Sequence, residues 1–204
     1  MEMIEYGNID ANIVLIQPVF AEAREMISKE IALIGKDIKM IAVKVGDWNS
    51  DLSPWTAPAV FGNEDFGDGA EDTLNEILKV CNDHDRKYII GGYSLAGLFA
   101  LWAAYHTDVF SGVAAASPSM WFPGFTDHMR ENELKCRRIY LSLGDREEKT
   151  KNQVMATVGD KIKTAYEILH EQGAECVLEW NQGNHFKDAD IRTVRAFSWV
   201  LDTL

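Results

Sequence analysis

A short segment between an apolar run and an alanine-rich stretch constrains the fold of this chain most strongly. The segment is Gly91-Gly92-Tyr93-Ser94-Leu95-Ala96-Gly97, and it follows the apolar run 87–90. A serine at the apex of a sharp strand-to-helix turn needs very small residues two positions before and after it, because the strand and the helix crowd those positions. Gly92 and Ala96 meet this need. The pattern therefore predicts a strand, a tight turn and a helix, with Ser94 exposed as a nucleophile.

A nucleophilic serine needs a base that accepts its proton, and one histidine is well placed for this role. In folds with such a turn, the order along the chain is nucleophile, acid, histidine. His185 follows a predicted strand at 175–180 and lies in a polar, glycine-containing loop before the closing helix. The other four histidines lie at predicted helix ends or in charged or polar segments. We predict His185 as the base; the alternative for Ser94 is that it only caps the helix.

The acid that orients the histidine is expected in the loop after the predicted strand at 137–143. Three carboxylates lie in this loop. We favour Glu147 because of its spacing after the glycine that ends the strand, with Asp145 as the alternative and Glu148 as the third choice. The ordinary role for the remaining two is to complement the dipole of the helix that follows.

Short apolar runs alternate with amphipathic segments along the whole chain. This alternation is typical of a mostly parallel sheet with helices on both faces, and 204 residues are suitable for one domain spanning 1–204. Ligands of such sheets bind at the carboxyl ends of the strands, where Ser94, Glu147 and His185 would meet. Strands are predicted at 12–17, 38–45, 87–92, 112–116, 137–143 and 175–180, and helices at 20–34, 69–82, 95–106, 150–172 and 189–202.

Four short motifs connect the chain with a known family. They are Gly-Tyr-Ser-Leu-Ala-Gly at 92–97, Ala-Ser-Pro-Ser-Met-Trp at 116–121, the acidic loop at 144–148 and Gly-Asn-His-Phe at 183–186. With them, the chain resembles the α/β-hydrolases of the putative esterase (esterase D-like) family from about Ile13 to Val200. The resemblance implies a minimal α/β-hydrolase fold of about six mostly parallel strands. It also implies hydrolysis of carboxylic esters through an acyl-enzyme, with Ser94 and His185 at the matching positions and the 116–121 motif bordering the site.

The chain departs from this family in the loop that supplies part of the oxyanion hole. Relatives commonly have a His-Gly pair there, whereas this chain has Gln17-Pro18-Val19-Phe20. Proline has no N–H group. We therefore expect the oxyanion donors to be the N–H of Leu95 together with that of Val19 or Phe20.

The long connection over 46–68 is predicted to form a wall beside the site. Irregular loops of this length are usually functional or disordered, and the aromatic residues in this one argue against disorder. We expect Trp48, Trp55 and Trp121 to line a substrate pocket and Asn49 to donate to a bound ester. The alternative is that these tryptophans only attach the loop to the body of the protein.

The composition narrows the class of partner. A net charge of −12 argues against binding to nucleic acid, whose phosphates require a basic surface.

No leading apolar stretch or bilayer-length run is present, and the three widely spaced cysteines are expected to be reduced, so we predict a cytoplasmic protein without a membrane partner. The acidic residues at 63–72 lack the ligand spacing of a calcium loop, and we predict neither a metal nor a cofactor. The expected partner is a small-molecule ester, and the oligomeric state is left open.

Other functions fit the same residues. An acyltransferase or a thioesterase would use the same serine, histidine and acid. A protein of a different class would keep the fold and bind a ligand in the tryptophan-lined cleft without catalysis, and an interaction subunit would use an exposed apolar surface instead.

Overall fold

One seven-stranded sheet lies at the centre of the protein in the computed structural model, which describes residues 1–20 and 23–204. In chain order the strands are β1 Glu2–Gly7, β2 Ile13–Phe20, β3 Lys39–Val45, β4 Lys87–Tyr93, β5 Phe110–Ala116, β6 Arg138–Gly144 and β7 Glu175–Asn181. Across the sheet they follow the order β1-β3-β2-β4-β5-β6-β7. β1 runs antiparallel to β3, and all other neighbouring pairs are parallel. The expected α/β-hydrolase fold with a mostly parallel sheet is confirmed, with seven strands instead of about six.

The inner strands are apolar along their length because helices cover the sheet on both sides. Leu15 and Ile89 contribute to the core on one side, and Ile16 and Ile90 to the core on the other. All four side chains are fully buried. Each of the six predicted strands overlaps one of the observed strands β2 to β7.

The sequence pattern does not predict β1. This strand lies at the edge of the sheet, and its residues are only exposed or half-buried, so that no continuous apolar run marks it. Its pairing with β3 includes two ion pairs across the strands, Lys44 with Glu2 at 3.1 Å and Lys39 with Glu5 at 2.6 Å. These contacts depend on the tertiary fold, and a single stretch of sequence cannot show them.

Seven helices are present in the described part of the chain, and they cover both faces of the sheet. They are α1 Arg24–Ile34, α2 Trp48–Asp51, α3 Ala70–Leu78, α4 Leu95–His106, α5 Phe125–Glu131, α6 Val158–Glu171 and α7 Ala189–Thr203. α1 and α7 pack on one face, and α3, α4, α5 and α6 contribute to the core on the other. None of these helices combines the length and the hydropathy that a membrane-spanning helix requires.

Some helix bounds differ from the predicted ones. The predicted helix at 20–34 includes Ala21 and Glu22, which lie outside the described residues. The helix predicted at 150–172 begins at Val158, because the side-chain carbonyl of Asn152 accepts hydrogen bonds from the N–H groups of Val154 and Met155 and forms a turn there. The helix predicted at 69–82 ends at Leu78.

The turn from β4 into α4 is the part of the fold that places Ser94. Its backbone has φ 60° and ψ −121°, a conformation that L-residues rarely adopt and that surrounding structure must enforce. The N–H of Ser94 donates to the carbonyl of Ala116 at 3.1 Å, and the carbonyl of Ser94 accepts from the N–H of Ser119 at 3.1 Å. A Cβ atom on Gly92 would lie 2.7 Å from the Cβ of Ala96. The turn therefore requires glycine at position 92 as long as position 96 carries a methyl group.

We expect Gly92→Ala to lower the free energy of unfolding by about 1–3 kcal/mol, the usual cost of inserting a methyl group into a packed region. Ala96→Gly should cost about 1 kcal/mol because it places glycine in a helix. In the double variant the clash between the two methyl groups is relieved, so the loss should be smaller than the sum of the single losses. Urea unfolding of the four proteins measures this coupling, and losses that add within about 0.5 kcal/mol would contradict it.

Candidate active site

Three of the predicted residues follow three different strands of the sheet. Ser94 directly follows β4, Glu147 lies three residues after β6 and His185 lies four residues after β7. These strands are parallel, so their carboxyl ends lie at one edge of the sheet. The topology alone thus brings the three loops to the same place.

The side chains of these residues form a continuous line of short contacts. His185 Nε2 lies 3.0 Å from Ser94 Oγ, and His185 Nδ1 lies 2.6 Å from Glu147 Oε2. Ser119 Oγ, from the loop after β5, lies 3.3 Å from Ser94 Oγ. An imidazole held between a hydroxyl and a carboxylate can accept the hydroxyl proton while the carboxylate holds the ring and balances the charge that develops on it.

The acidic loop contains three carboxylates, and they have separate contacts. Only Glu147 reaches His185. Asp145 Oδ1 accepts a hydrogen bond from the N–H of Gly183 at 2.8 Å, and so attaches the acidic loop to the loop that carries the histidine. Glu148 lies against Gly159 in the first turn of α6.

Arg192 in α7 is a part of the site that the sequence reasoning missed. Its side chain is only 2% exposed, and its Nη1 lies 2.7 Å from Glu147 Oε1. The same nitrogen donates to Ser117 Oγ at 3.2 Å and Tyr93 Oη at 3.1 Å, while Nη2 donates to the carbonyl of Asn184 at 3.1 Å. One guanidinium therefore connects the acid with the loop before His185. One signal is present in the sequence. Arg192 lies four residues before Ala196 and therefore on the helix face that contacts the sheet, so the signal is an arginine on the core-facing side of α7.

The carboxyl group of Glu147 is buried, with 4% of its side chain exposed. Burial alone would raise the pKa of Glu147, but the contact with His185 and the hydrogen bonds from Gly144 N–H and Ser117 Oγ outweigh burial and hold this pKa below its ordinary value. Gly144 N–H donates at 2.7 Å and Ser117 Oγ at 2.9 Å, both to Oε1. Oε2 remains for the histidine, and the group is ionised at neutral pH.

Tyr93 holds the backbone of the histidine. Its hydroxyl donates to the carbonyl of His185 at 2.6 Å, and its ring centroid lies 5.1 Å from that of the imidazole. Because Tyr93 directly precedes Ser94, this hydrogen bond couples the positions of the two residues that must exchange a proton.

The predicted oxyanion donors come from two elements near Ser94, the start of α4 and the end of β2. Leu95 is the first residue of α4, and its N–H has no acceptor within the helix, because the first N–H groups of any helix lack one. Val19 and Phe20 end β2, and together with Pro18 they line the same cavity as Ser94. An anion at this place would also face the positive end of the α4 dipole.

The cavity beside Ser94 has a volume of about 340 Å³ and lies between the end of β2, α1 and the start of α7. Phe20, Met26 and Trp48 supply apolar walls. Of the four predicted substrate-binding residues, Trp48 is the one that lines this cavity.

The other predicted pocket residues have different surroundings. Trp55 donates from Nε1 to the carbonyl of Pro123 at 3.0 Å and packs on Phe122, so it attaches the long connection to the segment before α5. Trp121 is buried among aromatic rings of the same region. Asn49 lies in α2, where its backbone N–H donates to Asp47 and its carbonyl accepts from Gly67 N–H. These contacts fit the alternative that these residues attach the loop to the body, and their role in substrate binding remains a prediction.

The acidic stretch at 63–72 takes part in the same loop. Asp65 Oδ1 accepts from the N–H of Ala59 at 2.9 Å, and Ala57 and Phe66 form an isolated antiparallel bridge. Within residues 1–20 and 23–204, no three side chains of His, Cys, Asp or Glu are grouped as metal ligands would be.

Comparisons with known proteins give one family and several similar folds. The profile of the family named Putative esterase matches residues 29–185. An uncharacterized protein of Bacillus subtilis, YbbA, is 21% identical over 184 residues, which cover 80% of this chain and 73% of YbbA. An IroE-like serine hydrolase from Shewanella oneidensis superimposes with a TM-score of 0.75 at 13% identity, over 96% of this chain and 74% of that protein. The siderophore hydrolase EstA from Aspergillus nidulans gives a TM-score of 0.68 at 18% identity, over 97% of this chain and 85% of that protein.

Proposed function

The chain belongs to the putative esterase family, and on that premise we propose that it hydrolyses carboxylic esters through an acyl-enzyme formed on Ser94. One observation carries the proposal: His185 lies between Ser94 Oγ, at 3.0 Å, and the ionised carboxylate of Glu147, at 2.6 Å. A serine hydroxyl is a weak nucleophile by itself, and a base within hydrogen-bond distance is what activates it.

The first step forms the bond between Ser94 and the acyl group. Ser94 Oγ attacks the ester carbonyl carbon while His185 Nε2 accepts the hydroxyl proton. Glu147 Oε2 accepts the hydrogen bond from Nδ1–H, which fixes the tautomer with a free Nε2 and stabilises the imidazolium that forms. Arg192, Gly144 and Ser117 hold the carboxylate by its other oxygen, so that Oε2 stays aimed at the ring.

The negative charge on the carbonyl oxygen is stabilised by backbone N–H groups. We assign these donors to Leu95, which directly follows Ser94, and to Val19 or Phe20, which line the same cavity as Ser94. A donor of this kind contributes roughly 2.7–4 kcal/mol to the stability of the transition state. Pro18 contributes none, because it lacks an N–H group.

The attack of Ser94 on the carbonyl gives a tetrahedral intermediate, which breaks down when the alcohol leaves. His185 returns its proton to the leaving alkoxide, and the acyl group stays on Ser94 Oγ. A water molecule then loses a proton to His185 Nε2 as its oxygen attacks the acyl carbon. When the bond between that carbon and Ser94 Oγ breaks, His185 returns the proton to Oγ, which releases the acid and restores the serine. Product analysis with added alcohols separates this hydrolysis from acyl transfer to an alcohol through the same intermediate.

Replacement of Ser94 by alanine should abolish this activity. We expect the kcat/KM for short p-nitrophenyl esters to fall by about 10³-fold or more, because no other group can form the acyl-enzyme. Ser119→Ala is the matched control: it removes a hydroxyl 3.3 Å away, and it should retain most of the activity. Equal rates for the wild type and Ser94→Ala over a series of acyl lengths would reject the proposal.

The role of the acid is tested by two amide substitutions in one loop. Glu147→Gln should lower kcat by about 10²–10⁴-fold, because the amide cannot balance the charge on the imidazolium and can favour the wrong tautomer. Asp145→Asn should have a much smaller effect, since Asp145 contacts Gly183 N–H and not the ring. The test is to measure kcat of both variants by steady-state kinetics. Urea unfolding of the same proteins shows whether a lower kcat comes with a loss of stability. Equal and small losses in the two would show that Glu147 is not the acid.

A further inference from the structure

The cavity beside Ser94 contains a buried acidic residue that the proposed reaction does not use. Glu30, in α1, lines this cavity with only 1% of its surface exposed, and Gln17, from β2, lines it with 3% exposed. Glu30 Oε2 and Gln17 Oε1 have no hydrogen-bond partner among the residues that the structure describes. Buried oxygens of this kind are rare in proteins, because leaving them unpaired costs stability.

The energetic cost falls on the charged form of Glu30. Burial raises the pKa of Glu30 to about 7, and the negative charge of Asp190 adds to the rise, while Gln17 and Lys29 oppose it. Lys29 lies outside the cavity, where its ammonium pairs with Asp190. Lys29 thus acts on Glu30 only through its charge, and Glu30 makes no ion pair with the described residues, although a second carboxylate lines the same cavity.

The other residues of the cavity wall indicate the charge and the apolar character of a matching ligand. The described residues of the wall include two carboxylates, Glu30 and Asp190, and no lysine, arginine or histidine. Asp190 is paired with Lys29, so Glu30 is the carboxylate of this wall that has no ion pair, and its negative charge repels an anionic group and attracts a cation. The apolar side chains of Phe20, Met26 and Trp48 match a hydrocarbon or aryl chain.

We propose that this cavity binds a primary ammonium group attached to an apolar chain, with Glu30 and Gln17 accepting the hydrogen bonds of the ammonium. Taken with the proposed function, on which this part rests, the inference is that the esters cleaved at Ser94 carry an amino group on an apolar arm. An ammonium has three donors and no acceptor, so one such group has enough donors for both unpaired oxygens. A neutral hydroxyl has one donor, so it would satisfy one of them and leave the charge of Glu30 without a counter-charge, whereas Asp190 already has Lys29.

Binding can be measured without catalysis in the Ser94→Ala protein. We would titrate it by calorimetry at pH 8 with n-hexylammonium chloride and, separately, with 1-hexanol, which has the same chain length and no charge. The ammonium should bind about tenfold more tightly than the alcohol, because charge-assisted hydrogen bonds are the stronger ones. Equal affinity for the two compounds, or tighter binding of the alcohol, would overturn the proposal.

A matched pair of substitutions locates the preference in the cavity. Glu30→Gln, added to Ser94→Ala, should reduce the preference for the ammonium to within about twofold. Glu25→Gln removes an exposed carboxylate from the same helix and should leave the preference unchanged. A similar loss in both variants would show that the overall negative charge, and not the cavity, attracts the ammonium. Glu30→Gln should be at least as stable as its parent at pH 8, because glutamine carries no charge that burial penalises.

The two proposals fail in different ways. Loss of the ammonium preference together with normal ester hydrolysis by the wild type would refute only the cavity proposal. An ammonium preference that depends on Glu30, in a protein that cleaves no ester, would refute only the proposed reaction and leave the binding site in place.

Discussion

The buried carboxylate of Glu147 is the group on which the candidate site depends. Its Oε1 receives hydrogen bonds from the backbone at the end of β6, from Ser117 after β5 and from Arg192 in α7, and its Oε2 contacts His185 after β7. Contacts from β6, from the loops after β5 and β7 and from α7 thus meet on one side chain. Because this charge is buried and fully hydrogen-bonded, it stays ionised and oriented, and the imidazole takes its position from it.

The parallel sheet is what makes this arrangement possible. Parallel strands direct their carboxyl ends to one edge, so each loop needs to be only a few residues long to reach Ser94. The strained turn at Ser94 projects the hydroxyl from this edge, and the hydrogen bond between Tyr93 and His185 couples the turn to the histidine loop. Reactivity would therefore come from a rigid frame and not from any unusual residue.

Local patterns predict the parts of the fold that are determined locally. The run 87–97 predicts the turn, the strand before it and the start of α4, since small residues and apolar runs have direct steric causes. The pattern narrows the acid to three carboxylates and favours Glu147 by its spacing, but the contacts that separate the three depend on how the acidic loop folds against Gly183. Arg192 and Glu30 lie in helices that look ordinary in the sequence, and their surroundings are made by residues from other elements. The edge strand β1 is missed for a similar reason, since its pairing with β3 defines it.

The central claim is that His185, held by Glu147, makes the hydroxyl of Ser94 a nucleophile near neutral pH. Covalent labelling with a fluorophosphonate, followed by intact and peptide mass spectrometry, tests it most directly because it needs no knowledge of the substrate. The account predicts a single adduct on Ser94 in the folded wild type, and labelling about 10²-fold slower or more in His185→Ala. A folded wild-type protein that forms no adduct on Ser94, or that labels at the same rate without His185, would contradict it.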